Sequence, residues 1–319
     1  MSVGVGVIGA GMMGAAHVRC LASSVEGAHV AAVSDVDRAR AEAAASDGGG
    51  ARVYDDPLEL IDAVDAVVVA SFDTTHEGFV LACLEAGRPV LCEKPLATTA
   101  EGCLHVVEAE ERAGRRLVYL GFMRRYDPGY GEVKASLEGG GVGRPLLMHC
   151  AHRNAFVPAN YTSEMLITSS LVHEIDITRW LLGEEIVAAQ VISPRPTTLS
   201  AGGLRDPQLA LLETEGGVVV DVEVFVNAQY GYDIRCELVG ERGTVSLEPQ
   251  VEPGFRERFA TAYRRELEAW VGALDGGPPF GAGAWDGYAA NAVADACLTS
   301  LSTGRRAAVE MAPRPALYR

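Results

Sequence analysis

The first third of the chain alternates two kinds of segment. Continuous apolar runs, VGVGVI, AHVAAVS, DAVVVAS and RLVYLGF, stand between mixed stretches such as DRARAEAAASDG, THEGFVLACLEAG and TTAEGCLHVVEAEERAG. Apolar runs without polar alternation predict strands covered on both faces, and mixed stretches that stop at glycine predict the helices between them. The order is that of a parallel sheet wrapped by helices. Beyond Phe122 the pattern changes to longer, partly alternating runs: PLLMHCAHRN, QLALLETE, VVVDVEVFV, YDIRCELVG and TVSLE, with EGG and GERG as hairpin turns. Within this region MLITSSLVHEIDITRW predicts an amphipathic helix. It sets Leu171, Ile175 and Leu182 on one stripe and Ser169, His173, Asp176 and Trp180 near another. Late helical segments, FRERFATAYRRELEAWVGAL and AWDGYAANAVADACLTSL, flank a Gly/Pro loop, DGGPPFGAG. The expected fold class is α/β, with a nucleotide-type domain at 1–122 and an α+β domain at 123–319 built on a large, open, mainly antiparallel sheet. The last segment is expected to pack back on the first domain.

The turn after VGVGVI sharpens that reading. Gly9-Ala10-Gly11-Met12-Met13-Gly14 is a GxGxxG between a strand and a helix. In the Rossmann arrangement the first glycine makes the tight turn, the second admits a pyrophosphate to the backbone, and the third lets helix pack on strand. The helix N-terminus then offers N–H groups and a positive dipole end to phosphate. Asp35 follows at the end of the next strand, roughly twenty residues on, where a carboxylate binds ribose hydroxyls and repels a 2′-phosphate. The expected cofactor is NAD in preference to NADP, with Arg38 and Arg40 lying along a solvated helix.

Composition narrows the partners. A length of 319 residues suits two domains. A formal net charge of −16 repels phosphate backbones, so no nucleic acid is expected. No apolar run reaches membrane-spanning length, and MSVGVGVIGAG enters a strand with no basic leader; a cytoplasmic protein is expected. The seven cysteines form no CxxC or Cys/His cluster, so neither zinc nor a disulfide framework is suggested. His17, His29, His105 and His149 have no partner in the sequence, and Trp270 and Trp285 read as core anchors. Arg256, Arg258, Arg264 and Arg265 alternate with acids, as on a solvated helix face.

Glu93-Lys94-Pro95 closes a later strand, where ligands of open α/β sheets bind, and its proline admits a cis bond. With VIGAGMMG, CEKPLA, GFMRRYDPGY, HCAHRN, HEIDITRWLLG, YGYDIRCELVGERGTVSL, FRERFATAYRRELEAW and AWDGYAANAVADAC in this order, the chain resembles the glucose–fructose oxidoreductase/inositol dehydrogenase (Gfo/Idh/MocA) family. Within it the chain most resembles bacterial inositol 2-dehydrogenases. The resemblance implies NAD-dependent oxidation of a ring polyol, most simply myo-inositol to 2-keto-myo-inositol, in a cleft between the domains of a homo-oligomer, often a tetramer. It implies that Lys94 binds the reacting oxygen and His173 is the general base. It implies that Met123, Arg124, His152, Asn154, Tyr230 and Tyr232 face the substrate. It also places Ser71, Phe72, His76, Glu93 and Lys94 by the nicotinamide half of the cofactor.

The chemistry suits these residue types. Alcohol oxidation sends a proton to a base, and histidine accepts one near neutrality. An ammonium beside the oxygen favours developing alkoxide charge, and no metal is needed. One position departs from the pattern: relatives carry aspartate one turn before the histidine, and this chain carries Ser169. Three readings stay open: a dehydrogenase of another cyclitol or sugar, an ordinary inositol dehydrogenase with the carboxylate supplied otherwise, and an NAD-binding pseudoenzyme. Asp176 is either that substitute or one half of an ion pair with Arg179 or Arg124.

Overall fold

The computed structural model describes residues 2–200, 203–274 and 281–319, so most of the DGGPPFGAG loop lies outside the described residues. The chain forms two compact units. One comprises Met1–Phe122, Tyr263–Tyr288 and Pro313–Arg319, the other Met123–Ala262 and Ala289–Ala312.

The first unit holds strands β1 (Val3–Ile8), β2 (Ala28–Ser34), β3 (Arg52–Val53), β4 (Ala66–Val69), β5 (Val90–Cys92) and β6 (Val118–Leu120). They form a six-stranded sheet in the order β3-β2-β1-β4-β5-β6, every pair parallel. All four residues of β4 are buried, as its unbroken AVVV run requires. The strand order reverses between β1 and β4, the point where such sheets bind ligands. Helices α1 (Met12–Ser24), α2 (Arg38–Asp47), α3 (Pro57–Ala63), α4 (Asp73–Glu85) and α5 (Ala100–Ala113) connect the strands. The hydrophobic pattern did not predict β3 and α3. The strand is too short to show a period, although Asp56, which caps α3, and Pro57 at its start are a recognisable helix signal.

The same core takes in part of the late chain. Leu267, Trp270 and Val271 cluster with Val5, Val7, Val33, Val68 and Leu91. Their spacing makes one apolar stripe on a helix, so 263–288 belongs with the first unit and not with the second as the expected boundary had it. Trp285 is also buried there, and near the C-terminus Tyr318 donates its hydroxyl to Glu110, a buried carboxylate that also takes the Val118 N–H at 2.6 Å.

The second unit contains α6 (Pro128–Glu138), β7 (Pro145–Arg153), α7 (Val172–Leu182), β8 (Ile186–Ile192), β9 (Gln208–Thr214), β10 (Val219–Phe225), β11 (Tyr232–Gly240), β12 (Thr244–Ser246), β13 (Val251–Glu252), α8 (Phe255–Arg258) and β14 (Ala307–Ala308). Its eight-stranded sheet runs β12-β11-β7-β10-β9-β8-β14, with β13 beside β11. Pairing is antiparallel except for β10 on β7, so the sheet is mixed. Met148, Cys150 and His152 of β7, Val220, Val222 and Val224 of β10, and Ile234, Cys236 and Leu238 of β11 are buried on one face. The alternate positions are more open, with Leu147, His149, Val219, Arg235 and Glu237 exposed. Helices α9 (Ala260–Leu274) and α10 (Ala284–Thr303) have residues in both units.

The expected amphipathic helix differs from its prediction. Leu166–Leu171 is a π-helical turn, closed by the Val172 N–H on the Ile167 carbonyl, and α7 begins only at Val172. From Val172 to Arg179 every residue of α7 is buried, so it has no solvated stripe. Its charges are instead paired inside the unit: Glu174 with Arg124, Asp176 with Arg125 and Arg179 with Glu185. A buried charge without a partner costs several kcal/mol, roughly, so these pairs let a charged helix stay buried. No described helix is long and apolar enough to cross a membrane.

Candidate active site

The candidate residues fall into two groups, one on each unit. On the first, the carboxyl ends of β1, β2, β4 and β5 converge. Gly9 has φ +92°, and a Cβ there would stand 2.5 Å from the Ala70 carbonyl oxygen. A Cβ on Gly14 would lie 1.8 Å from the Gly9 carbonyl oxygen, so helix and turn touch there. Gly11 is different. Its φ of −68° is open to any residue, and a Cβ would meet nothing within 4 Å. The fold itself makes no demand for glycine at Gly11. A ligand pressed against the backbone would. The N-cap of α1 is Gly11, which has no side chain to cap the first turn at Met12 and Met13, and the amides of such a turn suit an anion.

Asp35 ties this turn to the next. Its Oδ2 accepts the Ala10 N–H at 2.6 Å and its Oδ1 the Asp37 N–H at 2.7 Å. Val36, Met12 and Phe72, at the ends of three adjacent strands, are large apolar side chains left exposed, suited to covering flat rings. The residues present therefore fit a dinucleotide.

The EKP turn is braced from beneath. Glu93 hydrogen-bonds His17 at 2.7 Å. Burial alone would raise the Glu93 carboxyl. The His17 hydrogen bond and the charges of His17, Lys94 and His76 outweigh that and hold it below the usual range. Lys94, next along, is half-buried, and its bond to Pro95 is cis. His76 is buried, its ring nitrogens on the Pro95 carbonyl at 2.7 Å and the Ser71 carbonyl at 3.2 Å. It joins the β4 end to the EKP turn. Ser71 Oγ bonds the Thr75 hydroxyl at 2.7 Å.

On the second unit the centre is a pair of histidines. His152, on the buried face of β7, and His173, in the first turn of α7, have ring centroids 6.1 Å apart. His152 Nδ1 is 3.0 Å from Glu174 and 3.1 Å from the Arg124 guanidinium, and its Nε2 is 3.2 Å from Asn154 Oδ1. Arg124 also binds Glu174 directly. Burial alone would raise the Glu174 carboxyl, but Arg124 and His152 hold it below the usual range. Tyr232 meets His152 edge-on, with centroids 5.9 Å apart, and burial pushes its phenol up to about 12. Beside the π turn, Tyr161 donates to the Met165 carbonyl at 2.8 Å and hydrogen-bonds the hydroxyls of Ser170 and Ser169.

The other expected residues fall as follows, with corrections at Asp176 and Arg258. Met123 and Arg124 are buried, and Arg124 reaches His152 and Glu174. Asp176 is one half of an ion pair, as one reading had it, and the partner is Arg125, which that reading did not name. Arg258, expected on a solvated face, packs over Phe259 and binds Asp127 at 2.7 Å. Tyr230 is exposed, and its hydroxyl bonds Asp233 and Arg153.

Comparison with known proteins matches both units. A model described as "Oxidoreductase family, NAD-binding Rossmann fold" matches residues 3–122, and its partner, "Oxidoreductase family, C-terminal alpha/beta domain", matches 134–311. The chain belongs to this NAD-binding oxidoreductase family. Its relatives include two proteins of Saccharopolyspora erythraea. Inositol 2-dehydrogenase 2 is 56% identical over 100% of this chain and 98% of its own length, and inositol 2-dehydrogenase 1 is 54% identical over 100% and 99%. The fold is similar to a crystal structure of myo-inositol dehydrogenase from Lactobacillus casei in complex with NAD(H) and myo-inositol. The TM-score is 0.96, with 40% identity over 100% of each chain.

Two residues of this oxidoreductase escaped the sequence reading. His17, which has no partner apparent in the sequence, pairs with Glu93, 76 positions away. Glu174 was passed over beside His173. An acid among the apolar residues of VHEIDI is the signal that could have found it, because such an acid must be paired if the helix is buried.

Proposed function

We propose that this oxidoreductase oxidises a secondary alcohol of a ring polyol, myo-inositol to 2-keto-myo-inositol, with NAD as hydride acceptor. The observation that carries this is full-length similarity, at 56% and 54% identity, to relatives named for that reaction. The glycine turn, Asp35 and Phe72 hold the dinucleotide, which supplies the acceptor for hydride when bound. His173 takes the hydroxyl proton, and the Lys94 ammonium stabilises the oxygen as it gains negative charge. His152, Asn154 and Tyr232 bind the other hydroxyls. Arg124 and Glu174 act through His152, fixing its ring. A substrate covered in hydroxyls needs such donors and acceptors, because each one buried unpaired costs about 1–3 kcal/mol.

A second reading concerns the substrate. Ser169 hydrogen-bonds Tyr161 and carries no charge, so this part of the site meets a substrate hydroxyl with neutral groups. A related cyclitol or sugar fits that description. A panel of inositol stereoisomers and hexoses with NAD and NADP, followed by reduced-cofactor absorbance, tests both readings. Fastest turnover of myo-inositol with NAD supports the first, a different preferred polyol the second, and no turnover of any polyol contradicts both.

We further propose a cytoplasmic homo-oligomer, a tetramer. The seven cysteines are thiols rather than disulfides, which suits a reducing compartment. The open sheet face carries an apolar row, Val219, Leu147 and Val239, beside a charged one, Asp221, His149 and Glu237, as a self-complementary contact would. Sedimentation at tetramer mass supports this assembly, and a monomer contradicts it.

A further inference from the structure

The two arginines near Asp35 are held differently. Arg38 is turned away, bonded to Glu42 at 2.9 Å and Asp55 at 2.5 Å. Arg40 lies beside Asp35, its Nη2 3.6 Å from Asp35 Oδ1. What holds Arg40 there is Asp37, whose Oδ2 accepts the Arg40 Nε–H at 3.1 Å. Asp37 is also the N-cap of α2, taking the Ala39 and Arg40 N–H groups at 3.0 and 3.4 Å. An arginine beside the carboxylate that reads the ribose is the group that accommodates a 2′-phosphate in NADP-binding sheets of this kind. Here its charge is already spent on a carboxylate.

We infer that Asp37, through its grip on Arg40, is a specificity-determining residue that keeps the enzyme on NAD. To meet a 2′-phosphate, Arg40 must first leave Asp37, and the phosphate must approach two carboxylates, Asp35 and Asp37. NAD asks for neither. Arg40 and Asp37 are each about half exposed, with side-chain exposures of 49% and 47%, so the pair is weak enough to be exchanged. Asp37 touches no part of NAD in this account. It acts by occupying the arginine.

The inference rests on Asp35 standing at the ribose 2′-hydroxyl. Its test is the Kd of NADH and of NADPH, read from the fluorescence of the reduced cofactors, with kcat/KM for NAD and NADP alongside. Asp37→Ser and Asp37→Asn both keep an N-cap, so helix α2 is retained. The expected result in each is an NADPH Kd lowered about fivefold, the size of an exposed ion pair, with the NADH Kd nearly unchanged. In an Arg40→Ala background the same substitution should give little or no gain. An equal gain in that background would mean plain removal of negative charge and would overturn the inference, as would no gain with Arg40 present or a large loss of NADH affinity. If Asp35 itself is misread, Asp35→Ser also leaves the NADPH-to-NADH ratio unmoved. If only the Asp37 inference fails, Asp35→Ser moves the ratio and Asp37→Ser does not.

Discussion

The glycine turn of the first unit and the histidine cluster of the second are built from opposite materials. The turn is almost all backbone: amides, a positive φ at Gly9, a close approach at Gly14 and open space over Gly11. The cluster is almost all side chain, with Arg124, Glu174 and His152 buried and mutually bonded. A backbone site recognises what cofactors of one class share, namely phosphate and ribose. A side-chain network fixes the orientation of individual groups, which distinguishing the hydroxyls of a ring requires. The first tolerates exposure, and the second needs every charge matched.

That contrast predicts where each region breaks. The largest effect is expected at Glu174. Glu174→Gln leaves the Arg124 guanidinium buried without its carboxylate and should cost about 3–5 kcal/mol in denaturant unfolding. The pH dependence follows from the lowered Glu174 carboxyl. A group depressed on folding contributes stability above its unfolded value, near the ordinary 4.5, and loses it as pH falls through the folded value. The variant should therefore lose less stability on acidification than the parent; equal acid sensitivity would mean the pair does not set it.

Next come the glycines. Gly14→Ala forces a methyl onto the Gly9 carbonyl and should cost about 1–3 kcal/mol of stability along with NADH binding. Gly11→Ala meets nothing in the protein and should leave the melting temperature unchanged while weakening NADH about tenfold. A drop in melting temperature for Gly11→Ala would show that the fold, not the ligand, requires that glycine. The smallest effect is at Ser169. A carboxylate one turn before His173 favours the imidazolium, so Ser169→Asp should move the acidic limb of kcat/KM up by about half to one pH unit. An unmoved limb would separate the serine from the base.

The same contrast explains what the sequence disclosed. A backbone site leaves its requirements in the residue string, because only glycine meets them: Gly9 and Gly14 are readable without knowing their neighbours. The parallel sheet was legible too, because unbroken apolar runs such as AVVV must be covered on both faces. Side-chain pairs leave no such trace. Arg125 and Asp176 lie 51 positions apart, and the sequence pointed to Arg124 or Arg179 instead. The π turn at Leu166–Leu171 has no periodic signature either, and the burial of α7 became visible only through the partners of its charges. The Trp270 stripe was legible as a helix, but not the unit it would join.

The central claim is that His173 takes the proton from an alcohol while the glycine turn independently holds the dinucleotide. Single-turnover hydride transfer and NADH binding in His173→Ala, measured on the same preparation, test it most directly. The account predicts hydride transfer from myo-inositol reduced by several orders of magnitude with NADH affinity unchanged. Near-normal transfer at neutral pH would contradict it.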